Sequence, residues 1–400
     1  MRANFHLKTL TVAVAALSIA SVASAAGLDR SGQDITAFLQ DGTYAEAVYT
    51  YIDADVTGED KSGNKIDDIA EDYDFFRYGV KADINDTFSI GILYDEPFGA
   101  AADYSGNNDF VDQNPDSARN GEGTNVEVRT ESITGIVGAK LGESKNFQVY
   151  GGPVAQRVQA DVKLRGTAYE VANGYTTHIS ADQDYGWLAG IAYSKPEIAL
   201  KAALTYRSEI DHTTNAAESY PLAILAGKPT SRSNTVDITT PESVNFDFQT
   251  GINSTTLATA KVRWVPWSDF AIVPSLYNEV STANPAYGPD GLSLVSYDED
   301  QWQVELGLAK RMTPALAVTG TVGWDSGAGN PVTSLGPIEG YYSAGLGAKY
   351  NVTENWAVSA GGKYLWFGDA EGQIPNKNIV SDFEDNDGFA LGLKLSYQAN

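Results

Sequence analysis

Phe389-Ala-Leu-Gly-Leu-Lys-Leu-Ser-Tyr397, near the end of the 400-residue chain, decides the fold. In an extended chain successive side chains point to opposite faces. Phe389, Leu391, Leu393, Leu395 and Tyr397 therefore share one face, and Ala390, Gly392, Lys394 and Ser396 the other. An apolar face tipped with aromatic residues, opposite a polar or glycine face, is what a lipid-facing barrel strand needs. Working outward, Asp74 to Ile84 sets Phe76, Tyr78, Val80, Ala82 and Ile84 against Phe75, Arg77, Gly79, Lys81 and Asp83. Ile198 to Ile210 sets Ile198, Leu200, Ala202, Leu204 and Tyr206 against Ala199, Lys201, Ala203, Thr205, Arg207 and Glu209. A soluble two-sheet sandwich shows the same alternation.

The connections separate the two folds. Strands read at 44–56, 74–84, 88–98, 125–141, 147–164, 185–194, 198–210, 243–251, 257–276, 301–311, 315–324, 340–350, 356–367 and 387–397. Tight turns such as Asn85-Asp86-Thr87 and Lys195-Pro196-Glu197 alternate with long polar stretches at 99–124, 165–184, 211–242 and 277–300. Short turns on one side and long loops on the other mark an outer-membrane barrel. Val265-Pro266-Trp267-Ser268-Asp269 resembles a turn that would add a fifteenth strand. Bacterial barrels carry an even number, so 257–276 is read as one strand bulged at Pro266 and Pro274. The expected fold is all-β, an antiparallel transmembrane barrel of about fourteen strands at 44–400. A short N-terminal luminal segment, 26–43, precedes it.

The first residues read as a signal for export. Arg2 and Lys8 give a positive start, Leu10 to Ala20 is a short apolar run, and Ala23-Ser24-Ala25 is a cleavage site. Residues 1–25 are thus assigned to a signal peptide, and the mature chain to the outer membrane of a Gram-negative cell. The chain has no cysteine, so disulfides and thiolate metal sites are excluded. The formal charge of −25 falls to about −27 without Arg2 and Lys8, which speaks against a nucleic-acid partner. Chemistry-bearing residues are sparse: the mature chain keeps only His178 and His212, and no G-x-S-x-G elbow occurs. The sequence is read as a non-enzyme without cofactor. The acidic run Asp53 to Asp74 does not complete an EF-hand loop.

Three features bear on transport. In Tyr94-Asp95-Glu96-Pro97-Phe98-Gly99, proline removes a ladder donor and glycine a side chain. The wall kinks or opens there, or the strand simply ends at Pro97. If it opens, a bulky residue in place of Gly99 is expected to slow passage. Gly151-Gly152-Pro153 reads as a bulge in the fifth strand. Tyr220-Pro-Leu-Ala-Ile-Leu-Ala-Gly227 is an apolar patch in the longest loop, a ligand surface or a lid on its neighbours. Facing the lumen, Arg77, Lys81, Lys201, Arg207 and Lys363 either meet a carboxylate ligand or pair with Asp83, Glu209, Asp247 and Glu305.

Phe88-Ser-Ile-Gly-Ile-Leu-Tyr-Asp-Glu-Pro-Phe-Gly99 resembles the third-strand segment of the outer-membrane long-chain fatty-acid transporters, the FadL group. So do Gly186-Trp-Leu-Ala-Gly-Ile-Ala-Tyr193 and Ala203-Leu-Thr-Tyr-Arg-Ser-Glu-Ile210, with Pro241-Glu242-Ser243, Trp264 and Trp267 in the same layout. The resemblance implies a monomeric fourteen-strand barrel plugged by an N-terminal hatch. Hydrophobic molecules such as long-chain fatty acids would enter passively and leave sideways near the third strand. Pro97, Phe98 and Gly99 would border the opening; Tyr220, Leu222, Ile224 and Leu225 would form an outer capture groove. The implied partners are a hydrophobic small molecule and outer-membrane lipid. The chain departs from the family in its short hatch, without an Asn-Pro-Ala motif, and in ending Gln398-Ala399-Asn400 after Tyr397. That shortness motivates a second expectation, a general porin for small hydrophilic solutes.

Overall fold

The computed structural model describes residues 27–399, so the signal-peptide assignment at 1–25 lies outside the described residues. Fourteen antiparallel strands close on themselves. They are β1 (Thr43–Asp55), β2 (Tyr73–Asp83), β3 in two parts (Phe88–Asp95 and Gly99–Asp103), β4 (Asn125–Leu141) and β5 (Phe147–Lys163). Next come β6 (Thr176–Lys195), β7 (Leu200–Arg207, continued by Ile210–Ser219), β8 (Ser231–Thr240, continued by Ser243–Asn253) and β9 (Thr256–Val265). The circle ends with β10 (Gln301–Arg311), β11 (Leu316–Asp325), β12 (Tyr341–Asn351), β13 (Trp356–Phe367) and β14 (Asp387–Ala399). β14 pairs with β1 from Thr43↔Ala399 to Asp55↔Asp387, which removes the open edges a sheet would otherwise expose.

Alternation produces the two faces the sequence predicts. On β14, Leu391, Leu393 and Leu395 are 50%, 56% and 47% exposed, whereas Ala390 and Lys394 on the opposite face are 0% and 1%. The outward apolar band is edged by aromatic residues. Trp356 stacks near Tyr397 (5.1 Å) and Phe147 near Tyr193 (4.8 Å) at the short-turn end; Trp187 meets Tyr206 (5.2 Å) and Tyr364 meets Trp366 (4.9 Å) at the other. Such paired girdles mark the two membrane interfaces.

β5 and β6 run for 17 and 20 residues. At about 3.3 Å per residue they reach roughly 56 and 66 Å, about twice the hydrocarbon thickness, so they must rise beyond the membrane. Stretch 211–242, expected to be a loop, is instead the upper part of the β7–β8 hairpin. A small sheet of Gly58–Asp60, Lys65–Ile66, Val332–Thr333, Ala370–Gln373 and Ile379–Phe383 covers the long-loop end.

Two details differ from the sequence reading. Residues 257–276 are not one bulged strand. β9 stops at Val265, Pro266 begins a 3-10 turn over Trp267–Asp269, and Pro274 precedes a helix, Ser275–Ser281. Proline cannot donate to a ladder, so Pro266 ends the strand while Pro274 leads into the helix, and the connection lies wholly within one long loop. The count of fourteen is unchanged. At Gly152 the β4–β5 pairing lapses opposite Gly135 and Ile136 and resumes in register, so no residue is inserted. A Cβ at Gly152 would lie 1.9 Å from the carbonyl oxygen of Gly135, so the close backbone approach requires glycine.

Candidate transport site: lumen, wall and outer groove

Residues 27–42 lie inside the barrel. Asp29, Ile35 and Phe38 have no exposed surface, and Leu28, Arg30, Ser31, Gln33, Ala37 and Leu39 are nearly as buried. Charged and polar contacts fix the segment to the wall, beside the burial of Ile35, Phe38 and Leu39. Asp29 accepts from Arg263 Nε at 2.7 Å and Nη2 at 2.9 Å on β9, and from Gln303 Nε2 at 3.2 Å on β10. Asp34 meets Lys261 of β9 at 3.0 Å and Arg77 of β2 at 3.8 Å. Gln33 accepts from Ser243 Oγ at 2.7 Å, and Asn245 Nδ2 donates to the Gly32 carbonyl at 2.7 Å. Buried carboxylates with charge-assisted, near-bidentate partners are strongly position-specific.

The predicted luminal cations all face inward, and four of the five have charged or carbonyl partners inside the protein. Arg77 lies between Asp34 and Glu46, Lys81 donates to Asp83 (2.6 Å) and the Gly42 carbonyl (2.9 Å), and Lys363 pairs with Glu305 at 2.5 Å. Lys201 donates to the Leu39 carbonyl, and Arg207 Nη1 reaches only Thr134 Oγ1 at 3.3 Å. Lys261, Arg263 and Asn245, which do most of the anchoring, were not singled out from the sequence. Their signal was present: Thr259, Lys261 and Arg263 alternate with Ala260, Val262 and Trp264 on β9.

β3 is interrupted at Glu96-Pro97-Phe98. Its pairing with β2 runs only as far as Tyr78↔Tyr94, and above the gap Ala70↔Ala102 bridges the wall again. The edge of β2 from Tyr73 to Arg77 thus faces no strand on this side. The luminal segment fills in behind: Arg30 N donates to the Pro97 carbonyl at 2.7 Å, Gly99 N to the Leu28 carbonyl at 2.7 Å, and Ser31 Oγ to Asp95 at 2.8 Å. So the strand neither ends at Pro97 nor continues straight. Phe98 turns inward, 2% exposed, onto the edge of Trp267 at 5.5 Å. A Cβ on Gly99 would lie 2.5 Å from the Arg30 guanidinium.

Cavities lie on both sides of this gap. Outside is a polar basin of about 520 Å³ that includes Glu96, Glu131 and Arg129. Inside is an apolar cavity of about 40 Å³ lined by Leu28, Ala102, Val128, Ile272 and Leu335, among others. Ala101 lines both.

At the long-loop end a third cavity, of about 250 Å³, is lined by Tyr169, Tyr220, Tyr277, Tyr287, Leu222 and Leu225. Three of the four predicted groove residues therefore converge; Ile224 does not line it and is 67% exposed. The groove has a built frame. Buried Glu218 accepts from Tyr175 Oη (2.9 Å), Leu276 N (2.8 Å) and Tyr277 N (2.9 Å), pinning the start of helix Ser275–Ser281. Lys228, at 2.7 Å, and Arg232 clasp Glu279 on that helix, which ties it to the Pro221–Ala226 turn. Glu279 is held below the usual carboxyl range by these two hydrogen-bonded cations.

The two histidines are engaged elsewhere. His178 pairs with Asp161 at 2.7 Å, and buried His212 lies between Asp182 and Gln156 at 3.3 and 3.2 Å. In the acidic stretch, Asp60 accepts from the backbone of Ser62, Asn64 and Asp109, so it caps loops.

A closed strand cylinder with an apolar belt, an occupied lumen and a gap in its wall defines a membrane-spanning transport barrel. Residues 35–398 match the sequence profile of the outer membrane protein transport family (OMPP1/FadL/TodX), and the chain belongs to that family. A Pseudomonas aeruginosa FadL homologue superposes with a TM-score of 0.68 at 15% identity, over 89% of this chain and 90% of that one. The P. putida toluene transporter TodX gives 0.61 at 11% identity, over 91% and 92%. The Ralstonia pickettii toluene transporter TbuX gives 0.58 at 12% identity, over 90% and 90%. No curated protein matches the chain. The family is one of outer-membrane transport proteins, so the chain is an outer-membrane transport barrel.

Proposed function

We propose that the chain is a monomeric, energy-independent channel for hydrophobic molecules such as long-chain fatty acids, with sideways exit at the β3 interruption. The observation that supports this most is the pairing of an apolar cavity with a break in the wall, joined at Ala101. Ligand first settles in the tyrosine- and leucine-lined groove. Burying roughly 200 Å² of apolar ligand surface there contributes about 5 kcal/mol, largely offset by the cost of association. That balance gives weak capture and fast release, as a channel needs. Pro97, Phe98 and Gly99 border the exit, which opens toward membrane lipid. The porin alternative draws no support from a lumen filled by residues 27–42.

Deleting the gene in a host without a redundant transporter, and measuring uptake of a labelled long-chain fatty acid and of toluene, tests the reading. Loss of uptake of either probe is expected. Unchanged uptake of both refutes it.

A further inference from the structure

Arg30 reaches the β3 interruption from inside the barrel. Its guanidinium carbon sits 4.2 Å from the centroid of the Tyr73 ring, on the stretch of β2 beyond its last register pair with β3, Tyr78↔Tyr94. It lies directly against the bare Cα of Gly99 on the other side of the gap. The residue is 6% exposed, and its Nε is buried with no hydrogen-bond partner among the described residues. A buried guanidinium nitrogen left without an acceptor is costly, and a ring face only partly compensates it. Glu71, Asp72, Asp74, Glu96, Glu127 and Glu131 ring the basin just outside. Arg129 occupies one of these carboxylates, Glu127. A hydrophobic solute has no use for such a ring.

We propose that Arg30 is a two-position latch on the wall opening, a reading that rests on sideways exit. Closed, its guanidinium bridges Tyr73 and Gly99 on the inner side of the basin, beside the wall of Ala101 and Val126 that the basin shares with the apolar cavity, and bars the way between them. Open, it swings outward and the acidic ring receives it, so the carboxylates serve the latch. Gly99 is glycine because the closed guanidinium occupies the space of a Cβ. This reverses the expectation for position 99: a side chain there dislodges the latch before it obstructs the path.

The chain has no cysteine, so Val128→Cys places a single thiol on the inner cavity, where Val128 is 5% exposed. In the full mature protein in detergent micelles, the rate of N-ethylmaleimide labelling reads the latch. Arg30→Ala, Gly99→Ala and Tyr73→Leu should each raise it about ten- to thirtyfold, the factor expected from losing a desolvated cation–π contact. Arg30→Lys and Tyr73→Phe should stay close to the parent. Glu96→Gln with Glu131→Gln should slow it. Planar-bilayer conductance of Arg30→Ala should stay at the parent level. Parent-rate labelling in Arg30→Ala and Gly99→Ala overturns the latch. Faster labelling accompanied by a new conductance also overturns it, because the luminal segment has then come loose. Labelling needs no transport, so the latch and the uptake reading can fail separately.

Discussion

Asp29→Ala removes the carboxylate that Arg263 holds with two hydrogen bonds and Gln303 with a third. Both charged partners are buried, Asp29 fully and Arg263 to within 5%. Truncating one member of such a pair leaves an uncompensated buried charge and costs about 3–5 kcal/mol. The cost falls on the seating of residues 27–42, because the barrel strands pair without them. Each 1.4 kcal/mol is tenfold, so the ratio of unseated to seated segment should rise between about 150- and 5000-fold. Ejection stays incomplete. Ile35, Phe38 and Leu39 remain buried, at about 2 kcal/mol each, and Asp34 keeps Lys261. Single-channel recording in planar bilayers should therefore show brief, repeated openings against a closed baseline. Asp29→Arg combined with Arg263→Asp should restore most of the closed time. A conducting fraction within tenfold of the parent, for Asp29→Ala, would show that this pair does not hold the segment.

Three further perturbations probe other parts. Glu218→Gln weakens the acceptor shared by Tyr175, Leu276 and Tyr277 at about 1–3 kcal/mol. Binding of a fluorescent fatty-acid analogue should drop about tenfold with the far-ultraviolet β signal unchanged, and equal affinity counts against the groove. Glu339, in the loop between β11 and β12, is pushed up to about 7 by burial and by the charges of Asp325 and Glu299. A carboxyl that binds its proton more tightly when folded stabilises most below its unfolded value near 4.5, and loses this as pH rises through about 7. Protease nicking of 332–338 should accordingly quicken from pH 5 to pH 8 and become flat in Glu339→Gln; an equal slope in the variant excludes Glu339 as the cause. Leu393→Arg, on the lipid face of β14, should cost about 2–4 kcal/mol in denaturant titrations in lipid vesicles. A neutral result would mean that this face does not meet hydrocarbon.

The barrel was legible because its rule is local. Phe389 to Tyr397 carries inward and outward faces in a period of two, and each turn such as Asn85-Asp86-Thr87 is short enough to read directly. The β9 boundary was misread because Pro266 and Pro274 look alike as bulges or as stops, and only the tertiary path decides between them. Pro97-Phe98-Gly99 was legible as a kink, an opening or a strand end, but the way the gap is filled was not, because Tyr73 and Arg30 arrive from other parts of the chain. The luminal cations were readable by face. Two of their partners were readable as well, Asp83 for Lys81 and Glu305 for Lys363; Asp29 and Asp34 were not, since they are some 230 residues away from Arg263 and Lys261 in sequence. In the groove, Tyr220 to Leu225 showed as a patch, whereas Tyr169, Tyr277 and Tyr287 come from two other loops.

Asp34 binds Arg77 on β2 and Lys261 on β9, strands seven places apart in a ring of fourteen. One carboxylate therefore acts as a strut across the full width of the cylinder. A hollow tube under lateral membrane pressure yields most easily by flattening into an oval, and a central tie opposes that motion. The stretch of β2 beside the β3 interruption begins at one anchor of the tie. Seating of the N-terminal segment thus braces the barrel against flattening.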